Sequence, residues 1–196
     1  MDTVIRQTRK AGDFPYPHRA SIFLNNPIRR RISRPGAVID GLLLAGDERV
    51  LEIGPGPGYF STEIAKRVPA GRLHLFDVQP QMLDKARSAL DAAGCHNAEF
   101  HSGDASAGLP FDDDSFDVAF LAAVLGEVPD KDICIRGLRR VLRPGGLLVF
   151  VEAFPDPDRQ SVQSLRELVE PHGFVLQGWE GTTWRDVVRF RLLPTL

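Results

Sequence analysis

The stretch Glu52-Ile53-Gly54-Pro55-Gly56-Pro57-Gly58, set between an apolar run and an amphipathic one, limits what this chain can fold into more than any other feature. Arg49-Val50-Leu51-Glu52-Ile53 reads as a strand, and Tyr59 to Val68 places Phe60, Ile64 and Val68 on one helical face before Pro69 ends it. A strand that passes through a glycine turn into a helix is the opening unit of a parallel α/β sheet. The crevice at that turn is where such sheets take ligands.

The alternation then repeats. Arg72 to Phe76 is a second strand ending at Asp77, and Pro80 starts a helix whose buried stripe is Met82, Ala86, Ala89, Leu90 and Ala93, stopped by Gly94. Ala98 to His101 is a short third strand, followed by the loop Gly103 to Ser115 in place of a helix. Phe116 to Leu121 is a fourth strand, apolar enough to be buried on both faces. A helix from Lys131 to Leu142, the turn Arg143-Pro144-Gly145-Gly146 and a strand from Leu147 to Val151 come next, then a helix carrying Val162, Leu165, Leu168 and Val169. Phe174 to Trp179 and Trp184 to Leu192 lie too close together for a crossover helix, so they pair antiparallel. The expected fold is α/β: a doubly wound, Rossmann-like seven-stranded sheet, mostly parallel with a C-terminal antiparallel hairpin. Trp179 and Trp184 are expected as core or hairpin anchors.

A chain of 196 residues that is 43% hydrophobic suits one domain and excludes disordered and collagenous classes. Cys95 and Cys134 are far apart and no histidine spacing makes a zinc cage, so the sequence predicts a reduced setting and no metal. The longest apolar runs, Leu42 to Ala45 and Leu147 to Val151, fall far short of the roughly 20 residues of a membrane span, which points to a cytoplasmic protein. The net charge of −2 hides an asymmetry: residues 1–34 carry eight Lys/Arg and two acids, a net of +6, against −8 for the remainder. The expected organisation is a basic N-terminal arm or lid over 1–34 and a ligand-binding domain over 35–196, the latter opened by a short helix at Pro35 with Val38 and Leu42 inward.

Glycines in the first turn let the backbone approach a bulky ligand. A dinucleotide fingerprint requires G-x-G-x-x-G, but counting from Gly54 and Gly56 the third position is Tyr59, so an NAD-linked reading loses its last glycine. Three acids stand at strand ends instead: Glu52 before the turn, Asp77 after the second strand, and Asp104 in Gly103-Asp104-Ala105 after the third. A carboxylate inside an apolar strand is costly unless it is hydrogen-bonded or paired, which favours a role for Glu52. Asp77 also reads as a strand-end turn acid, Asp104 as a helix cap and Met82 as plain core.

In these features the chain resembles the class I S-adenosylmethionine-dependent methyltransferases, in the small type 11 branch of ubiquinone/menaquinone-biosynthesis-like enzymes. The resemblance runs over about 35–192, through Val50 to Gly58, Asp77, Gly103-Asp104-Ala105, Leu109-Pro110-Phe111, Ser115-Phe116-Asp117 and Leu142 to Gly146. It implies S-adenosylmethionine as cofactor. Glu52 and the Gly54, Gly56 and Gly58 turn would hold its methionine part, and Asp77 would accept both ribose hydroxyls. Asp104 would accept the adenine amino group and the Ala105 N–H would reach a ring nitrogen, with Val78 and Met82 packing on the base and Ala122 beside the site.

The implied reaction is methyl transfer to a small-molecule acceptor, lipophilic or anionic, by in-line displacement; the alternative is a non-catalytic module that binds S-adenosylmethionine or S-adenosylhomocysteine as a regulator or partner. The family's nucleobase and glutamine methylating members carry Asn/Asp-Pro-Pro-Tyr/Phe after strand four. This chain has Leu121 to Glu127 there, which disfavours those acceptors. Many relatives have a histidine where Gly126-Glu127 stands, so Glu127 becomes the polar candidate, with a solvated acid or helix cap as its plain reading. Tyr16 and His18 of the arm are further candidates for substrate contact. Arg29-Arg30-Arg31 with Arg34 reads first as a solvated helix face; as a binding feature it suits an acidic small molecule or anionic lipid better than nucleic acid, because no aromatic-rich basic stripe continues into the body.

Overall fold

The computed structural model describes residues 35–42, 44–153 and 156–194. A short helix α1 (Pro35–Asp40) precedes the alternating units: β1 (Arg49–Ile53), α2 (Ser61–Arg67), β2 (Arg72–Asp77), α3 (Pro80–Ala92), β3 (Ala98–Ser102) and β4 (Phe116–Ala122). Then come a 3₁₀ turn (Leu125–Glu127), α4 (Lys131–Val141), β5 (Leu142–Ala153), α5 (Val162–Val169), a second 3₁₀ turn (Glu170–His172), β6 (Phe174–Gly181) and β7 (Arg185–Leu192). The seven strands form one sheet in the order β3-β2-β1-β4-β5-β7-β6, with β1 to β5 parallel and β7 antiparallel to both β5 and β6. The order reverses direction at β1 and β4. This is the switch point at which a crevice opens beyond the carboxyl ends of the strands.

Alternation along the strands splits the core into two layers. Leu51, Ile53, Ala119, Leu121, Leu148 and Phe150 face α4 and α5, meeting Ile135, Leu138 and Leu165. Val50, Leu73, Leu75, Val118, Phe120 and Val149 face α1, α2 and α3, meeting Ile39, Ile64 and Ala86. Phe120 and Phe150 are fully buried, so truncating either to alanine removes about 3–5 kcal/mol. Helix starts are set locally: the Asp130 carboxylate accepts from the Ile133 N–H to cap α4, and Ser161 Oγ accepts from the Ser164 N–H to cap α5.

Two elements depart from the sequence reading. β5 starts at Leu142 and runs through Arg143 to Gly146, because Leu142 pairs with Phe116 and Leu147 with Val118; the extra residues are absorbed by a bulge with Gly145 at φ +78°. Neither tryptophan is core. Trp179 and Trp184 are both more than half exposed, and Trp179 anchors across the hairpin by donating from Nε1 to Asp186 at 3.1 Å.

No helix covers β2 and β3 between β3 and β4 among the described residues. The loop 103–115 does so, pinned by Arg140, whose guanidinium donates to the carbonyls of Leu109 and Phe111 and to Asp113. Phe111 of that loop packs edge-on against His74, Phe76, His101 and Phe116. His74 is buried there, and burial first of all pulls its pKa down to about 4, so the imidazole enters the core neutral.

Candidate functional site

The register lines up the predicted residues on one edge of the sheet. Ile53 is level with Phe76 on one side and Leu121 on the other, so Gly54, Asp77 and Ala122 form the next row. The Gly54 N–H donates to the Phe76 carbonyl at 2.8 Å and the Gly103 N–H to the Asp77 carbonyl at 3.0 Å, which extends the ladder into the loops that follow β1 and β3. Glu52, Asp77 and Asp104 thus stand at the ends of three adjacent parallel strands.

The three glycines of the turn all have positive φ, at +63°, +54° and +83°, but their surroundings differ. A Cβ on Gly54 would collide with the Val124 methyls, and one on Gly58 would press on the Ala86 backbone of α3 at 3.0 Å. These two glycines serve packing. A Cβ on Gly56 would meet nothing within 4 Å, so this backbone borders open space.

Glu52 is 2% exposed and accepts a hydrogen bond from Ser61 Oγ at 2.6 Å. Burial raises its pKa to about 7, the Ser61 hydroxyl acting against that rise and the Asp77 charge adding to it. The helix α2 starts at Ser61 rather than Tyr59, and Ser61, itself fully buried, ties its first turn to β1. Asp77 is also buried, and burial lifts its pKa, while the Gln79 and Gly56 N–H groups stabilise the carboxylate. Its Oδ1 accepts from the Gln79 N–H at 2.8 Å.

Asp104 is exposed, and its Oδ1 accepts from both the N–H and the hydroxyl of Ser106, at 2.8 and 2.7 Å; Ala105 is buried beside it. Val78 is 49% exposed next to Asp77, an apolar surface facing solvent, whereas Met82 is buried with Leu83 and Ala86 on the inner face of α3. Ala122 is half-buried at the end of β4, and Ala123 after it takes φ +54° with its N–H on the Val151 carbonyl. Glu127 lies in the 3₁₀ turn beyond, which Lys131 closes by donating to the Gly126 and Val128 carbonyls. Tyr16 and His18 lie outside the described residues.

Sequence reasoning missed a third buried acid on this edge. Glu152, near the end of β5, accepts from the Gln160 N–H at 3.0 Å and is paired in register with Asp186 of β7, which binds Arg159. Burial raises the Glu152 pKa to about 7, with the Gln160 N–H opposing, Asp156 adding, Arg159 opposing and Asp186 adding. The argument applied to Glu52, a carboxylate at the end of an apolar strand, picks out Glu152 equally well in Leu147 to Glu152.

A glycine turn with one open backbone position and a carboxylate at each of three adjacent strand ends, with exposed Val78 beside Asp77, define an α/β domain whose crevice at the carboxyl edge of the sheet suits a polar ligand. Residues 44–181 match the family model of a methyltransferase domain, and the chain belongs to that family. Its relatives place it in the UbiE-like branch of the class I S-adenosylmethionine-dependent methyltransferases. It is 37% identical over 131 residues to the ubiquinone/menaquinone biosynthesis C-methyltransferase UbiE of Hahella chejuensis, covering 66% of this chain and 52% of that protein. It is 35% identical over 107 residues to a probable methyltransferase, ltbC, of Aspergillus luteorubrus, covering 50% of this chain and 38% of that protein. The chain therefore spans about half the length, or less, of these curated relatives. Among solved structures, a SAM-dependent methyltransferase from Aquifex aeolicus superposes with a TM-score of 0.84 at 21% identity, covering 91% of this chain and all of that one. The [4+2]-cyclase SpnF superposes with a TM-score of 0.74 at 20% identity over 83% of this chain and 81% of that one.

S-adenosylmethionine is the cofactor of this class. The residues present fit it: Gly56 leaves room where a side chain would intrude, and the donor and acceptor set matches an amino acid, a ribose diol and a base. Among the described residues no helix is long and apolar enough to cross a membrane.

Proposed function

We propose that this chain transfers the methyl group of S-adenosylmethionine to a small-molecule acceptor of lipophilic or anionic character. The observation that carries the reading is the shared row of Gly54, Asp77 and Ala122, with Glu52 and Asp104 flanking it and open space at Gly56. In this reading Glu52 and the Gly54–Gly58 turn hold the methionine part, Asp77 accepts from the ribose hydroxyls, Asp104 and the Ala105 N–H read the adenine edge, and Val78 covers its face. Met82 supports that wall from within α3. The UbiE relatives favour a lipophilic acceptor.

The cofactor supplies an electrophilic methyl group, so the protein's task is alignment and exclusion of water. Glu127, in the turn after β4, would meet an acceptor. The arm 1–34 would close over it as a lid, Tyr16 and His18 would touch the acceptor, and the arm's arginines would meet its anionic group or an anionic lipid surface.

The test is incubation of the purified protein with labelled S-adenosylmethionine and a panel of quinols, phenols and phospholipid headgroups. Label transfer to one acceptor supports the reading. Cofactor binding without transfer to any acceptor supports the alternative of a binding module.

A further inference from the structure

On the face of β2 and β3 that the loop 103–115 covers, the strand register assembles a second group of chemically matched side chains. His74 pairs with Glu99, and His101 follows two residues later on the same side of β3. His74 Nδ1 is 3.2 Å from His101 Nε2 and 3.6 Å from Glu99 Oε2, and His101 Nε2 is 3.9 Å from the same oxygen. One ligand atom from each residue therefore converges on one point.

We propose that His74, Glu99 and His101 bind a divalent transition-metal ion of the zinc type, with a fourth position left open to water. Two imidazoles and a carboxylate suit zinc or cobalt and are a poor match for magnesium or calcium, which take oxygen ligands. Ligand atoms held tetrahedrally at about 2.0–2.2 Å from zinc stand about 3.3–3.6 Å from one another, so the observed spacings are close to those of a bound ion. The adjustments are an inward shift of the Glu99 carboxylate by about 0.3 Å and a parting of the two ring nitrogens by about 0.1 Å. Glu99 is half exposed, which leaves its carboxylate room for that shift.

The surroundings fit the assignment. Glu99 divides its two oxygens, Oε1 lying 3.6 Å from Arg72 Nε and Oε2 facing the histidines, so Arg72 positions the carboxylate. His74 is locked between the Phe111 and Phe116 ring edges, and its buried Nε2 has no hydrogen-bond partner among the described residues, which leaves Nδ1 as the ring's polar contact. A surface cavity of about 410 Å³, bounded by Asp47, Arg49, Arg72, His74 and Glu99 among others, gives an ion a way in. The sequence predicts no metal because His74 lies a whole helix away from Glu99 and His101; only the parallel pairing of β2 with β3 makes it their neighbour. The ion would staple the edge strand β3 to β2, with His101 one row of the ladder below Asp77.

The test is titration of EDTA-treated full-length protein with Co²⁺, followed by visible absorption, and with Zn²⁺ in competition. The proposal predicts one equivalent of Co²⁺ with tetrahedral-type bands, displaced by Zn²⁺ and indifferent to Mg²⁺. His101→Ala and Glu99→Gln, both at partly exposed positions, should each weaken binding about tenfold or more with S-adenosylhomocysteine binding unchanged, while His96→Ala leaves the bands intact. Bands that survive in His101→Ala, which would put the ion elsewhere, or no stoichiometric uptake by the wild type, which would leave the two imidazoles simply hydrogen-bonded to each other, would overturn the proposal. Because the readout is a metal spectrum, its failure is separable from any failure of methyl transfer.

Discussion

Ser61 Oγ donates to Glu52 Oε2 at 2.6 Å, joining the first turn of α2 to the end of β1 and closing the base of the glycine turn. The bond accounts for a carboxyl group that is almost fully buried in an otherwise apolar strand. It also makes Glu52 both a structural tie and a site residue.

Glu52 sets a pH dependence. Its carboxyl keeps a proton to about pH 7 in the folded protein but loses it near the ordinary value of 4.5 when unfolded, so between these values the folded state binds more protons. Stability is greatest at or below pH 4.5 as far as this group is concerned, and is lost as pH rises toward 7, by up to about 3 kcal/mol. Glu152 adds in the same direction. Urea denaturation of the unliganded protein should give a higher midpoint at pH 5.5 than at pH 8, and Glu52→Gln should reduce the difference, leaving the part that Glu152 supplies.

The turn glycines should respond unequally to alanine. Gly54→Ala combines a left-handed φ with a collision against Val124 and should cost more than about 2 kcal/mol. Gly56→Ala bears only the backbone penalty of about 1–2 kcal/mol, yet places a methyl in the space assigned to the cofactor. Calorimetric binding of S-adenosylhomocysteine alongside thermal melts separates the two: Gly56→Ala loses affinity out of proportion to its stability.

Val78 offers a cleaner separation. At half exposure, Val78→Ala should change stability by no more than about 0.5 kcal/mol. If it covers the adenine face, affinity for S-adenosylhomocysteine falls several-fold in the same calorimetric titration.

Arg140 should behave as a purely structural tie. It donates to two carbonyls and one carboxylate of the loop 103–115, and Arg140→Ala should cost about 1–3 kcal/mol. Hydrogen exchange should accelerate at 109–113 with little change in β1 or β4.

The sheet was legible in the sequence because its determinants are local. Phe116 to Leu121 is apolar without a break, and Gly54, Asp77 and Gly103-Asp104 sit at strand ends where alternation puts them. What was not legible depends on pairing between segments. The bulge that carries β5 back to Leu142 exists because Phe116 has a partner there, and Glu152 meets Asp186 only once β7 is antiparallel to β5. Trp179 and Trp184, expected as core or hairpin anchors, lie more than half exposed on the hairpin at the sheet's edge, where Trp179 anchors through Asp186. His74 and His101 illustrate the same limit: 27 residues apart in sequence, their ring nitrogens are 3.2 Å apart in space.

The most direct measurement is calorimetric titration of the wild-type protein and of Asp77→Ala with S-adenosylhomocysteine, with NADH as the comparison ligand. The account predicts one S-adenosylhomocysteine site per chain, none for NADH, and an affinity reduced at least about tenfold in Asp77→Ala, consistent with loss of hydrogen bonds to a charged group worth about 1.5–3 kcal/mol each. Equal affinity in the folded variant, or no binding of S-adenosylhomocysteine by the wild type, would contradict it.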